Sequence, residues 1–137
     1  MDKLIHYQNI IKQILTNYQR ISAQVPDPDI DEVLMFDDQR SQYLWFNIGW
    51  KNDRRIQAIS VYIRIKNEKI YIEEDWTEEG IANELLRENV PKEDIVLAFH
   101  HPENLQEFRM REFRITSPLK RIGLTNYENF SFYPLKI

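Results

Sequence analysis

The stretch SQYLWFNIGWKNDRRIQAISVYIRIKNEKIYIEEDW, residues 41–76, decides the fold of this chain. It contains three segments rich in β-branched and aromatic residues, which favour strands, and two short polar patches between them. Asn and Asp in the patches tolerate the backbone angles of tight turns. Strands joined by so few residues must pair antiparallel, because a parallel pair needs a longer crossover. The predicted strands are 41–50, 55–66 and 70–76, and the predicted turns are 51–54 and 67–69.

The segment 55–66 alternates between two sets of side chains, which is the period of a strand with one buried face. A further β-like segment at 32–38 precedes the stretch, so the meander is predicted to have four strands. The alternation assigns Ile59, Val61, Ile63 and Ile65 to one face, and Ala58, Ser60, Tyr62 and Arg64 to the other.

The N-terminal segment 2–21 is typical of an amphipathic helix. Its apolar residues recur at three- and four-residue steps, which places them on one helical face. The predicted stripe includes Leu4, Leu15 and Ile21. Asp2 is the predicted N-cap, since aspartate favours that position and suits the helix dipole.

A second helix and one more strand follow the meander. The segment 77–94 predicts the helix, with Thr77 as its N-cap and Gly80 inside it, where close packing against another backbone would explain a glycine. Asn89 is the predicted stop, because asparagine tolerates left-handed geometry. The wholly apolar segment 94–99 predicts a buried strand.

The order of elements is helix, four-strand meander, helix and strand, followed by a less regular tail. This order predicts an α+β domain in which both helices cover one face of a mostly antiparallel sheet. A chain of 137 residues is expected to form a single domain, 1–137.

Composition excludes several classes of site. The chain has no cysteine, so disulfides, thiolate zinc sites and cysteine nucleophiles are excluded. No apolar run is long enough for a membrane span and no signal-peptide pattern is present. We therefore expect a cytoplasmic protein with no membrane partner.

Charge divides the chain into two parts. Residues 1–102 carry 12 Lys and Arg against 18 Asp and Glu, and residues 103–137 carry 6 against 4. An acidic main body argues against broad binding to phosphate backbones, which requires a basic surface. The basic tail points weakly the other way, although a solvated segment is the simpler interpretation.

No catalytic pattern stands out, so we expect no enzyme and no cofactor. There is no Gly-x-Ser-x-Gly motif, and three glycines cannot build a phosphate-binding loop. His100 and His101 end the apolar run, but adjacent residues on a strand point to opposite sides and do not readily share a metal. A metal-dependent hydrolase using Glu73, Asp75 and His100 is a third interpretation, against which the acids at 73–75 are typical of a surface turn before a helix.

Several motifs taken in order resemble the XisI family, the fdxN element excision controlling factors of cyanobacteria. They are MDKLIHYQNIIKQIL (1–15), EVLMFDDQRSQYLWFNIGW (32–50), KNDRRI (51–56) and KIYIEEDWTEEGIANELLRENVPKEDIVLAFHHP (69–102). The resemblance covers residues 1–102, about three-quarters of the chain. Family members typically have Gly where Asn89 stands and proline where His101 stands. Residues 103–137 are interpreted as a divergent C-terminal extension of the XisI-like domain.

The resemblance implies a non-enzymatic accessory role in programmed excision of a DNA element during heterocyst differentiation. It also implies a protein partner of XisH type. The alternative is a regulatory factor that binds DNA directly through the basic hairpin at 51–55 and the tail, for which Arg54, Arg109, Arg111 and Arg114 are the candidate contacts. Pairing of the hairpin arginines with nearby acids is the simpler interpretation of the hairpin.

The aromatic side chains of the meander exceed what two helices can cover. A sheet covered on one face leaves the other open, and large exposed apolar patches usually mark interfaces. We therefore expect a homodimer or a hetero-oligomer, unless the C-terminal tail folds across that face. The candidate partner-interface residues are Trp50, Arg55, Trp76 and His100.

Overall fold

The computed structural model describes residues 2–99 and the backbone of residues 131–132. The elements are α1 (Lys3–Ser22), β1 (Ile30–Asp37), β2 (Gln42–Lys51), β3 (Arg54–Lys66), β4 (Lys69–Asp75), α2 (Ile81–Arg87), a 3₁₀ turn (Lys92–Asp94), β5 (Ile95–Leu97) and β6 (Ser131–Phe132).

The strands form one sheet in the order β1-β2-β3-β4-β5-β6. The first four strands pair antiparallel, whereas β5 is parallel to β4 and β6 is parallel to β5. The predicted α+β class is confirmed.

The two tight turns of the meander lie where they are predicted, and their residues have the backbone angles of tight turns. Asn52 and Asp53 have φ angles of 51° and 64°, and Asn67 and Glu68 have φ angles of 55° and 63°. Two consecutive left-handed residues form the hairpin turn whose twist matches that of the flanking strands. The short turns therefore hold β2, β3 and β4 in antiparallel register.

Helix α1 lies on one face of the sheet, as its periodicity predicts. Tyr7, Ile11 and Leu15 are buried in the shared core. The prediction that Leu4 and Ile21 belong to the buried stripe is wrong, because Leu4 is 42% exposed and Ile21 is 62% exposed. Asp2 occupies the N-cap position, but its side chain makes no capping hydrogen bond. Neither α1 nor α2, the helices in the described part of the chain, is long and apolar enough to cross a membrane.

A buried polar contact ties the start of α1 to the segment before β5. The hydroxyl of Tyr7 donates a hydrogen bond of 2.5 Å to Oδ2 of Asp94, and Nζ of Lys3 lies 3.1 Å from the same oxygen. Burial, together with the Asp94 carboxylate, raises the pKa of Tyr7. The phenol therefore keeps its proton at neutral pH and remains a donor.

A β-bulge changes which face of β3 is buried. Trp45 pairs with Val61 and Phe46 pairs with Ile59, so Ser60 is an extra residue between them. An extra residue reverses the alternation, which places Ile59 on the face opposite Val61. The prediction that Ile59 shares the face of Val61 is therefore wrong.

The second helix is shorter than predicted and begins at Ile81 rather than after Thr77. Asp75 supplies the acceptor for the first helical N–H group, since its Oδ2 accepts a bond of 2.7 Å from the Ile81 amide. Gly80 has a φ angle of 94° and stands at the cap position. A glycine is favoured there by its backbone conformation, not by close packing inside a helix.

The end of α2 confirms the predicted role of Asn89. Its φ angle is 68°, its amide donates to the carbonyl of Leu86, and the Val90 amide donates to the carbonyl of Leu85. These two bonds form a Schellman motif, in which a left-handed residue closes the helix.

Replacing Asn89 by alanine is expected to lower the free energy of unfolding by about 1 kcal/mol, because a Cβ-bearing residue that cannot bond locally is strained in left-handed geometry. Asn89→Gly should leave the stability within about 0.5 kcal/mol of the parent chain. Urea unfolding followed by circular dichroism measures both. Equal stability of the two variants would contradict the assignment of Asn89 as the stop.

Candidate interaction surface

The two faces of the meander differ in what covers them. The helical face packs against α1 and α2 through a core that includes Tyr43, Trp45, Val61, Ile63 and Ile72. The side chains that alternate with these point away from the helices. We call this second surface the open face; its apolar residues include Met35, Leu44, Phe46, Ile59, Tyr62 and Trp76.

The open face is continuous across three strands. Leu44 of β2 pairs with Met35 on one side and with Tyr62 on the other. Two shallow depressions of about 370 Å³ and 560 Å³ lie along this face, and Ile59 lines both of them. The bulge at Ser60 is what turns Ile59 to this side, so a local irregularity of β3 completes the apolar surface.

Large apolar side chains on the open face remain in contact with solvent. Met35 is 46% exposed and Trp76 is 39% exposed. The indole N–H of Trp76 donates a hydrogen bond of 2.7 Å to Oε2 of Glu74, which orients the ring at the edge of the surface. Contiguous exposed apolar surface of this kind is typical of protein interfaces.

An internal ion pair closes one end of the open face. Nη2 of Arg64 lies 2.9 Å from Oε2 of Glu73, and Nε donates to the same oxygen at 3.0 Å. Glu73 is the extra residue of a second bulge, since Tyr62 pairs with Glu74 and Ile63 pairs with Ile72. The pair is electrically neutral, so it adds polarity without net charge.

The opposite end of the open face is formed by Trp50 and Arg55, which pair directly across the β2–β3 hairpin. The guanidinium carbon of Arg55 lies 5.3 Å from the centre of the Trp50 ring, within the range of a cation–π contact. Trp50 is 58% exposed. The pair presents a stacked cation and indole to solvent.

The structure brings together three of the four predicted interface residues, since Trp50, Arg55 and Trp76 lie on or beside one surface. Arg54 lies at the hairpin tip, opposite Lys51, whose Nζ is 2.5 Å from Oδ2 of Asp27. Lys51 thus pairs with an acid, whereas the predicted pairing of Arg54 and Arg55 with acids stays a prediction. The remaining candidates lie outside the described residues; they are His100, Arg109, Arg111 and Arg114.

Sequence reasoning missed the centre of the surface. Alternation within β2 could have placed Leu44 and Phe46 together, because that strand is regular. It could not have placed Ile59, since no residue pattern marks the bulge at Ser60.

The two acids of the hypothetical metal site have separate structural partners. Glu73 pairs with Arg64, as described above. Asp75 is fully buried, and its Oδ1 accepts hydrogen bonds from the amide of Thr77 at 3.0 Å and from its hydroxyl at 2.6 Å. With Oδ2 on the Ile81 amide, Asp75 is a capping residue. His100 lies outside the described residues.

Comparison with known proteins identifies the family. The family model described as XisI protein matches residues 1–113. A structure described as a XisI-like protein from Anabaena variabilis ATCC 29413 is 38% identical, with a TM-score of 0.68, and the match covers 76% of this chain and 94% of that chain.

A second structure, described as the fdxN element excision controlling factor XisI from the same organism, is 44% identical, with a TM-score of 0.68. That match covers 75% of this chain and 92% of the other. The search among curated proteins gave no match. The family model spans well over half of the sequence, and both structures share the fold at substantial identity, so this chain belongs to the XisI family.

Proposed function

We propose that this protein is a non-enzymatic controlling factor for the excision of a DNA element and that it acts in the cytoplasm through a protein partner of XisH type. The observation that carries the proposal is its similarity to the fdxN element excision controlling factor, which is 44% identical over 75% of this chain. Proteins that share this much sequence over a whole fold commonly share a biochemical role.

The use of the polar side chains supports a non-enzymatic role. Asp75 caps α2, Glu73 is paired with Arg64, and Asp94 accepts the Tyr7 hydroxyl. A general acid or base must reach a substrate proton. Each of these carboxylates is instead committed to a contact that holds the fold together.

The surface of the domain supports a protein partner in preference to DNA. Residues 1–102 carry 12 basic against 18 acidic residues, and an acidic body repels phosphate backbones. Exposed Trp and Arg side chains, by contrast, are enriched where binding energy concentrates at protein interfaces. Trp50 and Arg55 present this combination at the end of the hairpin.

Co-purification with an XisH-type protein encoded in the same genome tests the proposal. We expect a complex that survives size-exclusion chromatography at micromolar concentration. Trp50→Ala should weaken binding at least about tenfold, the size of effect typical for an exposed aromatic anchor.

Ile5→Ala is the matched control, because Ile5 is 54% exposed against 58% for Trp50. It lies at the start of α1, where Lys3 contacts Glu68 of the β3–β4 turn, away from the β2–β3 hairpin. This substitution should leave the affinity unchanged. The proposal fails if both proteins are folded and no complex forms, or if the two substitutions weaken it equally.

A further inference from the structure

We infer that the open face is a self-association surface and that it packs against the open face of a second copy of this chain. The resulting dimer would be a two-layer sandwich of sheets, each backed by its own helices, related by a two-fold axis between the layers. Such a contact is isologous, since the same side chains contribute from both copies. It would be centred on the middle of the open face.

The composition of the open face fits contact with a copy of itself. Its centre consists of Met35, Leu44, Phe46 and Ile59, and interface cores are enriched in Met and aromatic residues and depleted of charge. The ion pair of Arg64 with Glu73 is neutralised within one copy. Two copies can therefore approach without opposing like charges across the contact.

The ends of the open face have complementary charge. Arg55 lies at the hairpin end, whereas Glu74 lies beside Tyr62 towards the other end. A two-fold axis that crosses the strands near Phe46 brings the hairpin end of one copy over the Glu74 end of the other. Complementary charges placed this way select one orientation.

The dimensions of the face match those of a specific interface. Strand β1 has 8 residues, and four strands about 4.8 Å apart with a rise of about 3.3 Å per residue cover on the order of 500 Å². Standard interfaces remove about 800 Å² of accessible surface per partner. A side-chain surface exceeds its flat projection, so the two figures are comparable.

Sedimentation velocity of the full chain tests the inference through Met35→Lys and Ile59→Lys. The parent chain is expected to be a dimer at micromolar concentration. Each substitution should raise the dimer dissociation constant at least about tenfold, because it places an unpaired ammonium in an apolar contact. Leu4→Lys is the matched control on α1, since Leu4 is 42% exposed and Met35 is 46% exposed.

Circular dichroism melts show whether each variant is folded, and Met35→Lys is the safer probe because its side chain already contacts solvent. A dimer weakened by both open-face lysines and unaffected by Leu4→Lys supports the inference. A monomeric parent chain, or a dimer that folded Met35→Lys leaves intact, overturns it. A monomer destabilised by Met35→Lys would indicate that another part of the same chain covers the face.

Discussion

Replacing Asp75 by alanine is expected to lower the free energy of unfolding by about 4 kcal/mol. The carboxylate is fully buried and accepts hydrogen bonds from the Thr77 amide, the Thr77 hydroxyl and the Ile81 amide. Hydrogen bonds to a charged group contribute about 1.5–3 kcal/mol each, and a buried donor left without an acceptor costs a further amount. Alanine removes both acceptor oxygens and with them all three hydrogen bonds.

The loss of this cap is expected to affect more of the fold than α2. The same loop ends β4 and starts the helix that crosses to β5, so losing the cap loosens the only parallel crossover in residues 2–99. Glu78→Ala is the control, because Glu78 is exposed in the same loop and surface substitutions usually stay within about 0.5 kcal/mol. Guanidinium unfolding of both variants is the measurement. An Asp75→Ala chain as stable as Glu78→Ala would show that Asp75 is not the cap.

Replacing Gly49 by alanine is expected to lower the free energy of unfolding by about 3 kcal/mol. A Cβ built on Gly49 would lie 2.1 Å from the backbone oxygen of Asp29 and 3.0 Å from Cα of Ile30. Backbone atoms cannot rotate away as the end of a side chain can, so the strand or its neighbour must shift. Overpacking of this kind typically costs about 1–3 kcal/mol, and the short distance places Gly49 at the upper end.

The same contact fixes the start of the sheet edge. The amide of Trp50 donates to the Asp29 oxygen at 3.3 Å, so displacing Asp29 also removes a hydrogen bond beside Ile30, where β1 begins. Gln57→Ala adds no bulk to an exposed position of β3 and should change stability by less than about 0.5 kcal/mol. Thermal unfolding of the two variants is the measurement. An unchanged melting temperature for Gly49→Ala would rule out the close approach of the Asp29 backbone to Gly49.

Most of the fold follows from local chemistry that a sequence displays. Strand periodicity and the Asn-containing turns predict the meander, and Asn89 predicts where α2 ends. The hydroxyl of Thr77 accepts the Gly80 amide at 3.0 Å, as an N-cap would, but the helix itself begins only at Ile81. The acceptor for the Ile81 amide is Asp75, at the end of a strand. That choice depends on tertiary geometry, which residue types alone do not fix.

The candidate surface was predictable in part. Trp50, Arg55 and Trp76 are conspicuous residues, and the structure places them around one face. Strict alternation assigns Ile59 to the helical face of the sheet. This is wrong because a bulge adds a residue and reverses the alternation. At the bulge, the neighbours Trp45 and Phe46 pair with residues two apart on β3. This shift in the register of β2 against β3 depends on packing across the whole sheet.

We propose that this XisI-family protein acts by binding a protein partner rather than DNA. The most direct measurement is a pair of titrations of the full chain at physiological salt, one with the XisH-type protein and one with duplex DNA. We expect saturable binding to the protein at micromolar concentration and no comparable binding to DNA, because the main body is acidic. Tighter binding to DNA than to the partner, weakened by salt and by Arg54→Ala, would contradict the account.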